Sequence, residues 1–198
     1  AEPWAAVRMA TALLPYWAVR VMSQDNDARI VAAIEIARAR VVGRPDADAA
    51  DQALAARLLG EAARLWAMAG RSIVAIEWAE EATLLADASG DRAAQLAAVT
   101  GLALATVFSG RAGPGGTAVR PIFERATDLA EQSGQWWVLS LSAAFAGASL
   151  SPFDPEFGAA LMQRGVEASR LSGSPYAIGA ASMAQGRMLG RQGATDAA

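Results

Sequence analysis

The segment Gly110-Arg111-Ala112-Gly113-Pro114-Gly115-Gly116-Thr117 comes closer than any other in this chain to a recognisable piece of chemistry. Gly110, Gly115 and Thr117 have the spacing of a phosphate-cradling loop, in which backbone N–H groups hold the phosphates and a lysine reaches the terminal one. Gly116 occupies the lysine's place and no strand feeds the loop, so the segment reads as a flexible insertion at a hairpin tip. Two groups of acids invite a similar comparison. Asp46, Asp48 and Asp51 resemble a cation site in composition, but they stand at the start of a helical segment, where acids cap N–H groups and favour the positive end of the dipole. Glu77, Glu80 and Glu81, near Arg71, read as a solvated helix face; a catalytic carboxylate pair would need burial to raise a pKa.

The missing residue types narrow the field further. With neither Cys nor His, the chain has no disulfide, no thiolate metal site and no imidazole base, so most metal-assisted hydrolysis and nucleophile–histidine chemistry is excluded. No cofactor, metal site or catalytic residue is expected, and the chain reads as a binding scaffold and not as an enzyme. All 17 basic residues are Arg, the formal charge is −3, and no basic stripe suits a phosphate backbone, so direct nucleic-acid binding is not expected. The uncharged stretches 93–110 and 132–153 are broken by Gln, Ser and Thr, which fits interior helices better than a membrane span. Glu2 sits where a signal peptide would be basic, and the expected location is the cytoplasm. The opening at Ala1, without an initiator Met, suggests a piece of a longer protein.

The elements that must position these residues are helices. Roughly a quarter of the chain is Ala, the best helix former, and no alternating β-branched run appears. Turn signals divide the 198 residues into nine periodic segments at roughly 3–22, 27–41, 47–69, 72–88, 91–109, 117–132, 135–150, 155–171 and 175–190. Asp27, Asp91, Thr117 and Asp154 stand at N-cap or first-turn positions, and Gly70, Gly90, Gly110, Gly134 and Gly173 at C-terminal turns. Pro15 predicts a kink or restart in the first helix. The phrase 82–90, Ala-Thr-Leu-Leu-Ala-Asp-Ala-Ser-Gly, returns at 126–134 as Ala-Thr-Asp-Leu-Ala-Glu-Gln-Ser-Gly, with a weaker echo ending at Gly173. Repetition at about 40 residues is the mark of stacked helical hairpins: an all-α, right-handed superhelix forming one helical-repeat domain over 1–198.

Within it, Ala63, Trp66, Gly70, Ala75, Ala79 and Ala82 have a spacing that resembles the tetratricopeptide repeat. A stretched copy follows at Ala103, Gly110, Phe123 and Ala126, and another begins at Gly186, Leu189, Gly193 and Ala198. Together with the opening run 12–20, this style resembles the helical-repeat region of large bacterial signalling regulators of the LuxR or AfsR type, in which an ATPase domain accompanies the repeats. The resemblance implies a protein-interaction or sensor module of a transcriptional regulator, binding a protein or peptide partner, or other domains of its own parent chain, in a concave groove. Arg57 and Arg64 share the face of the third helix that would line that groove, with Thr100 and Arg187 at comparable places. Such a groove would suit an acidic or carboxylate-bearing ligand.

Paired aromatics at Tyr16-Trp17 and Trp136-Trp137 place rings about 100° apart. Either both pack, on different neighbours, or Trp17, Trp136 and Trp137 act as exposed anchors. The rival reading is a small-molecule sensor with an apolar pocket between repeats. Residues 193–198 read as a turn and the start of a tenth helix, which would leave Tyr176, Ile178 and Met183 uncovered and available to a homodimer through the C-terminal helices. Because Gly116 stands in the lysine's place, calorimetric titration with ATP should give no heat of binding; micromolar affinity would refute this reading of the loop.

Overall fold

In the computed structural model, which describes residues 3–19, 24–44, 46–191 and 193, the periodic segments are helices. They are α1 (Pro3–Val19), α2 (Gln24–Val41), α3 (Ala49–Met68), α4 (Ser72–Ser89), α5 (Arg92–Phe108), α6 (Arg120–Ser133), α7 (Trp136–Leu150), α8 (Pro155–Ser172) and α9 (Pro175–Arg191), with a 3₁₀ turn at Pro114–Gly116. Among the described residues there is no strand, and no helix is long and apolar enough to cross a membrane. Residues 194–198, and with them the expected tenth helix, lie outside the described residues.

The helix ends follow local chemistry. Asp48, Asp91 and Asp154 accept hydrogen bonds from the N–H groups of Ala50 (2.7 Å), Ala94 (2.7 Å) and Phe157 (3.0 Å), each satisfying a donor that the helix leaves open. Gly90, Gly134 and Gly173 close α4, α6 and α8 with positive φ. Two expectations need correction. Thr117 caps no helix: Gly113, Gly115 and Gly116 all have positive φ, Thr117 ends the 3₁₀ turn, and α6 starts at Arg120 with Pro121 in its first turn. Of the kink or restart expected at Pro15, the restart does not occur: α1 runs through the proline as one helix. Trp4, Val7, Leu14 and Trp17 bury one face of that helix, and their burial outweighs a proline penalty of about 3 kcal/mol.

The chain divides into two compact units, Ala1–Ala105 and Thr106–Ala198. In the first, α3 forms an antiparallel hairpin with α4 and also packs on α1 and α2. Small residues set the approach between helices. Ala63, Ala75, Ala79 and Ala82 are fully buried. Trp66 meets Trp78 with ring centroids 5.1 Å apart. On another side of α3, a Cβ at Gly60 would lie 2.6 Å from the carbonyl carbon of Ala97, and one at Gly101 would overlap the Gly60 carbonyl oxygen. Helix α3 therefore touches α5 backbone to backbone.

In the second unit, α7 packs on α6, α8 and α9. That central place explains its sequence, Trp-Trp-Val-Leu-Ser-Leu-Ser-Ala-Ala-Phe-Ala-Gly-Ala-Ser-Leu, which has no polar face. Its seam with α8 again excludes side chains. Added Cβ atoms would meet Met162 N at 2.7 Å from Gly147, Ser151 Cα at 2.6 Å from Gly158 and Ala144 N at 2.5 Å from Gly165. Met162, Ala181, Ala184 and Met188 complete a small core around Ala144.

One substitution should have opposite signs at two helical glycines. Gly165→Ala forces backbone apart and should cost about 1–3 kcal/mol, whereas Gly186→Ala, with nothing within 4 Å of the added methyl, should stabilise by about 0.5–1 kcal/mol. Urea denaturation of both variants checks the pair; equal effects would contradict the α7–α8 seam.

Candidate functional site

The residues expected to line a groove fall into different environments. Arg57 is exposed on α3, while Arg64, two turns further along the same stripe, is fully buried. Its guanidinium Nη2 donates to Glu61 Oε2 at 2.5 Å, one helical turn away, and the Glu61 side chain is only 11% exposed. Thr100 is fully buried too, and its hydroxyl donates back to the carbonyls of Leu96 (2.8 Å) and Ala97 (3.1 Å) on its own helix. Arg187 is exposed on α9, in the other unit. Arg64 and Thr100 are thus interior groups, and a surface ligand has no route to them as they stand. The stripe changes environment along its length because α3 is covered near Gly60 and Ala63 but open at Arg57, a difference no heptad spacing records.

Several surface charges of the first unit are matched between helices. Arg38 grips Glu81 through Nε (2.9 Å) and Nη2 (2.5 Å). These hydrogen bonds lift the guanidinium further above its ordinary pKa, and with the attraction of Glu81 and Glu35 they outweigh the opposing effect of partial burial. Arg71 pairs with Asp27 at 2.6 Å while its Cζ stands 5.4 Å from the centroid of the Trp66 ring. Arg40 pairs with Asp51 at 2.5 Å and lies over Trp4. Asp48 is spent as a cap and Asp46 is exposed, so the three acids at the start of α3 do not converge. Among the described residues no three Asp or Glu side chains come together in a way that could hold a metal ion.

The outer face of α4 is different. Ile73, Glu77, Glu80 and Leu84 lie at i, i+4, i+7 and i+11, one stripe about 16 Å long. Ile73 and Leu84 are 73% and 75% exposed. Glu77 and Glu80 are exposed between them and form no ion pair among the described residues, since the nearby cations Arg38 and Arg71 are taken by Glu81 and Asp27. Sequence reasoning found these acids but read them with Glu81 as one solvated face. The signal that separates them is the helical spacing of the flanking Ile73 and Leu84.

In the second unit, the glycine-rich loop is no loose insertion. Ala118 N–H donates to Ala112 O at 2.9 Å, and Gly116 lies so close to the Phe157 ring that a Cβ would come within 2.9 Å of it. Arg120 stacks over the other part of this corner, its Cζ 4.1 Å from the Phe157 centroid, and reaches Asp154 at 3.5 Å. Asp154 Oδ2 in turn lies 3.7 Å from where a Gly115 Cβ would be, so a carboxylate stands where a phosphate reading would want a cation. Between this loop and residues 149–153 opens a cavity of about 870 Å³, lined among others by Val107, Ala112, Ser149, Leu150 and Phe153.

Of the paired aromatics, Trp17 is buried and Tyr16 is exposed, while Trp136 and Trp137 are both half-buried. Trp17 therefore presents no anchor surface. Helix α9 turns Ala177, Ala181, Ala184 and Met188 inward and leaves Tyr176, Ile178 and Met183 partly exposed. No protein-family model, no curated protein and no solved structure matches the chain.

The Arg64–Glu61 pair generates its own test. Arg64→Met alone strands a nearly buried carboxylate and should cost about 3 kcal/mol in urea denaturation, and Glu61→Gln in the same chain should restore much of it. If the single and double variants are equally stable, Glu61 is not held by Arg64.

Proposed function

We propose that this chain is a non-catalytic helical-repeat binding module whose working surface is the outer face of α4, and that its partner is a cationic amphipathic segment of another protein. One observation carries the reading: two uncompensated carboxylates, Glu77 and Glu80, sit between the exposed aliphatic side chains of Ile73 and Leu84. Like charges one turn apart cost a helix a few tenths of a kcal/mol, and a partner that brings two cations removes that repulsion while covering apolar surface on either side. The recognition chemistry is opposite in sign to the arginine groove expected from the repeat spacing, because Arg64 lies in the interior.

The α3–α4 hairpin supports the tetratricopeptide-like interpretation. Its small residues are buried at the interhelical seam, Trp66 fills the space beside them, and Gly70 turns the chain with φ of 81°. A role in a LuxR- or AfsR-type bacterial regulator rests on that hairpin and on the repeated phrases. In such a protein the face of α4 would receive a basic helix from a partner or from another domain.

A fluorescently labelled helical peptide, with two arginines one turn apart flanked by leucines, tests the surface directly. It should bind with an affinity that falls as salt rises. Glu77→Arg with Glu80→Arg should abolish that binding and accept the same peptide with glutamates in place of its arginines. Indifference to the charge reversal would overturn the proposal.

A further inference from the structure

The cavity of the second unit belongs to no part of that surface, and its chemistry is of another kind. It lies between the α5–α6 loop and the α7–α8 turn, wholly within residues 107–153. We infer that it binds a neutral, ring-bearing, largely apolar small molecule, with Phe153 as the stacking group at its rim.

Three observations fix the ligand class. No lining residue carries a charge. The adjacent carboxylate, Asp154, lies 3.7 Å from where a Gly115 Cβ would be and is occupied by Phe157 N–H and Arg120, so it has little left for a cation. A neutral molecule loses least on entry. The volume of about 870 Å³ falls in the range of about 300–1,000 Å³ typical of clefts for small molecules.

Phe153 sets the preference for a ring. It is 82% exposed, more than any other large hydrophobic side chain described, yet its backbone is fixed. Its N–H donates to Leu150 O at 2.8 Å, and the same carbonyl accepts from Asp154 N–H at 2.9 Å. An aromatic ring held in water on an ordered turn, beside an uncharged cleft, gains by stacking on a flat ligand. Ser149 is the lining hydroxyl; it donates to Phe145 O at 2.9 Å, which leaves its oxygen to accept a hydrogen bond from the ligand. The opposite wall is the loop itself, to which Gly110, Ala112, Gly113, Pro114, Gly115 and Gly116 contribute.

Two dyes sharing one ring system separate the outcomes. N-phenyl-1-naphthylamine is neutral, and its sulfonate analogue is an anion. Titrated into the full chain, the neutral dye should show saturable one-to-one fluorescence enhancement in the micromolar range, and the sulfonate should bind at least about tenfold more weakly. Phe153→Ala should weaken the neutral dye roughly tenfold without changing the circular dichroism, and Ser149→Arg, one turn back on the same wall, should weaken it as well. The same Ser149→Arg change should narrow the gap between the two dyes, because it adds a cation for the sulfonate. Glu77→Arg with Glu80→Arg, in the other unit, should leave both titrations unchanged. Equal affinity for the two dyes, or a neutral-dye titration that ignores both Phe153→Ala and Ser149→Arg, overturns the inference.

Discussion

Helices in this chain approach until their backbones touch, and that distance governs what each unit can be. At Gly60 facing Ala97, and at Gly147, Gly158 and Gly165 facing α8 or α7, there is no room for a single methyl group. Close approach brings many weak contacts into range and places small residues where larger ones would act as spacers. Packing of this kind explains how a chain that is one-quarter Ala can bury a core with few large side chains. Surface positions escape the constraint. The glycines of α9 at 179, 186 and 190 meet nothing, although they look the same in the sequence.

Charge is distributed under the same limit. Tight seams leave little space for long side chains, so Arg64 is buried with its acid one turn away on its own helix, and Thr100 returns its hydrogen bonds to its own backbone. Pairs between different helices, Arg38 with Glu81 and Arg71 with Asp27, form at the margins, where the side chains still reach water. Outside these pairs on α4 lie Asp87, which accepts from Gln95, and the two carboxylates Glu77 and Glu80. The lack of compensation at these two follows from the pairing of the neighbours and gives the outer face of α4 a negative charge between two exposed aliphatic side chains.

The corner around Phe157 in the second unit shows how a loop without regular structure is positioned by a few contacts. Gly116 packs on one part of the ring, Arg120 covers another, and Asp154 both caps α8 and holds Arg120. Features from two separate stretches of the sequence, a glycine cluster with an arginine at a helix start and an acid with an aromatic one turn later, meet at this point. The cleft beside it exists because the loop is folded down at one end and the α7–α8 turn holds Phe153 out at the other.

The order of amino acids alone set where the helices lie. Their boundaries fall within a few residues of those read from caps, glycines and 3.6-residue periodicity, because cap hydrogen bonds and backbone φ are local quantities that need no distant partner. It also determined that Trp66 and its small neighbours would be interior, since a hairpin brings together residues close in the chain. It could not decide which members of one stripe stay exposed. Arg57 and Arg64 have equivalent helical positions, yet Arg57 is exposed and Arg64 is fully buried. Nor could it decide between a kink and a restart at Pro15, since what keeps the proline inside α1 is the burial of Trp4, Val7, Leu14 and Trp17. The glycine-rich loop is the same case: its composition allows a mobile tip, and the ring of Phe157, some forty residues on, decides that it is folded. Tertiary contacts settle burial, and burial alone separates a residue that could meet a partner from one that holds the interior together.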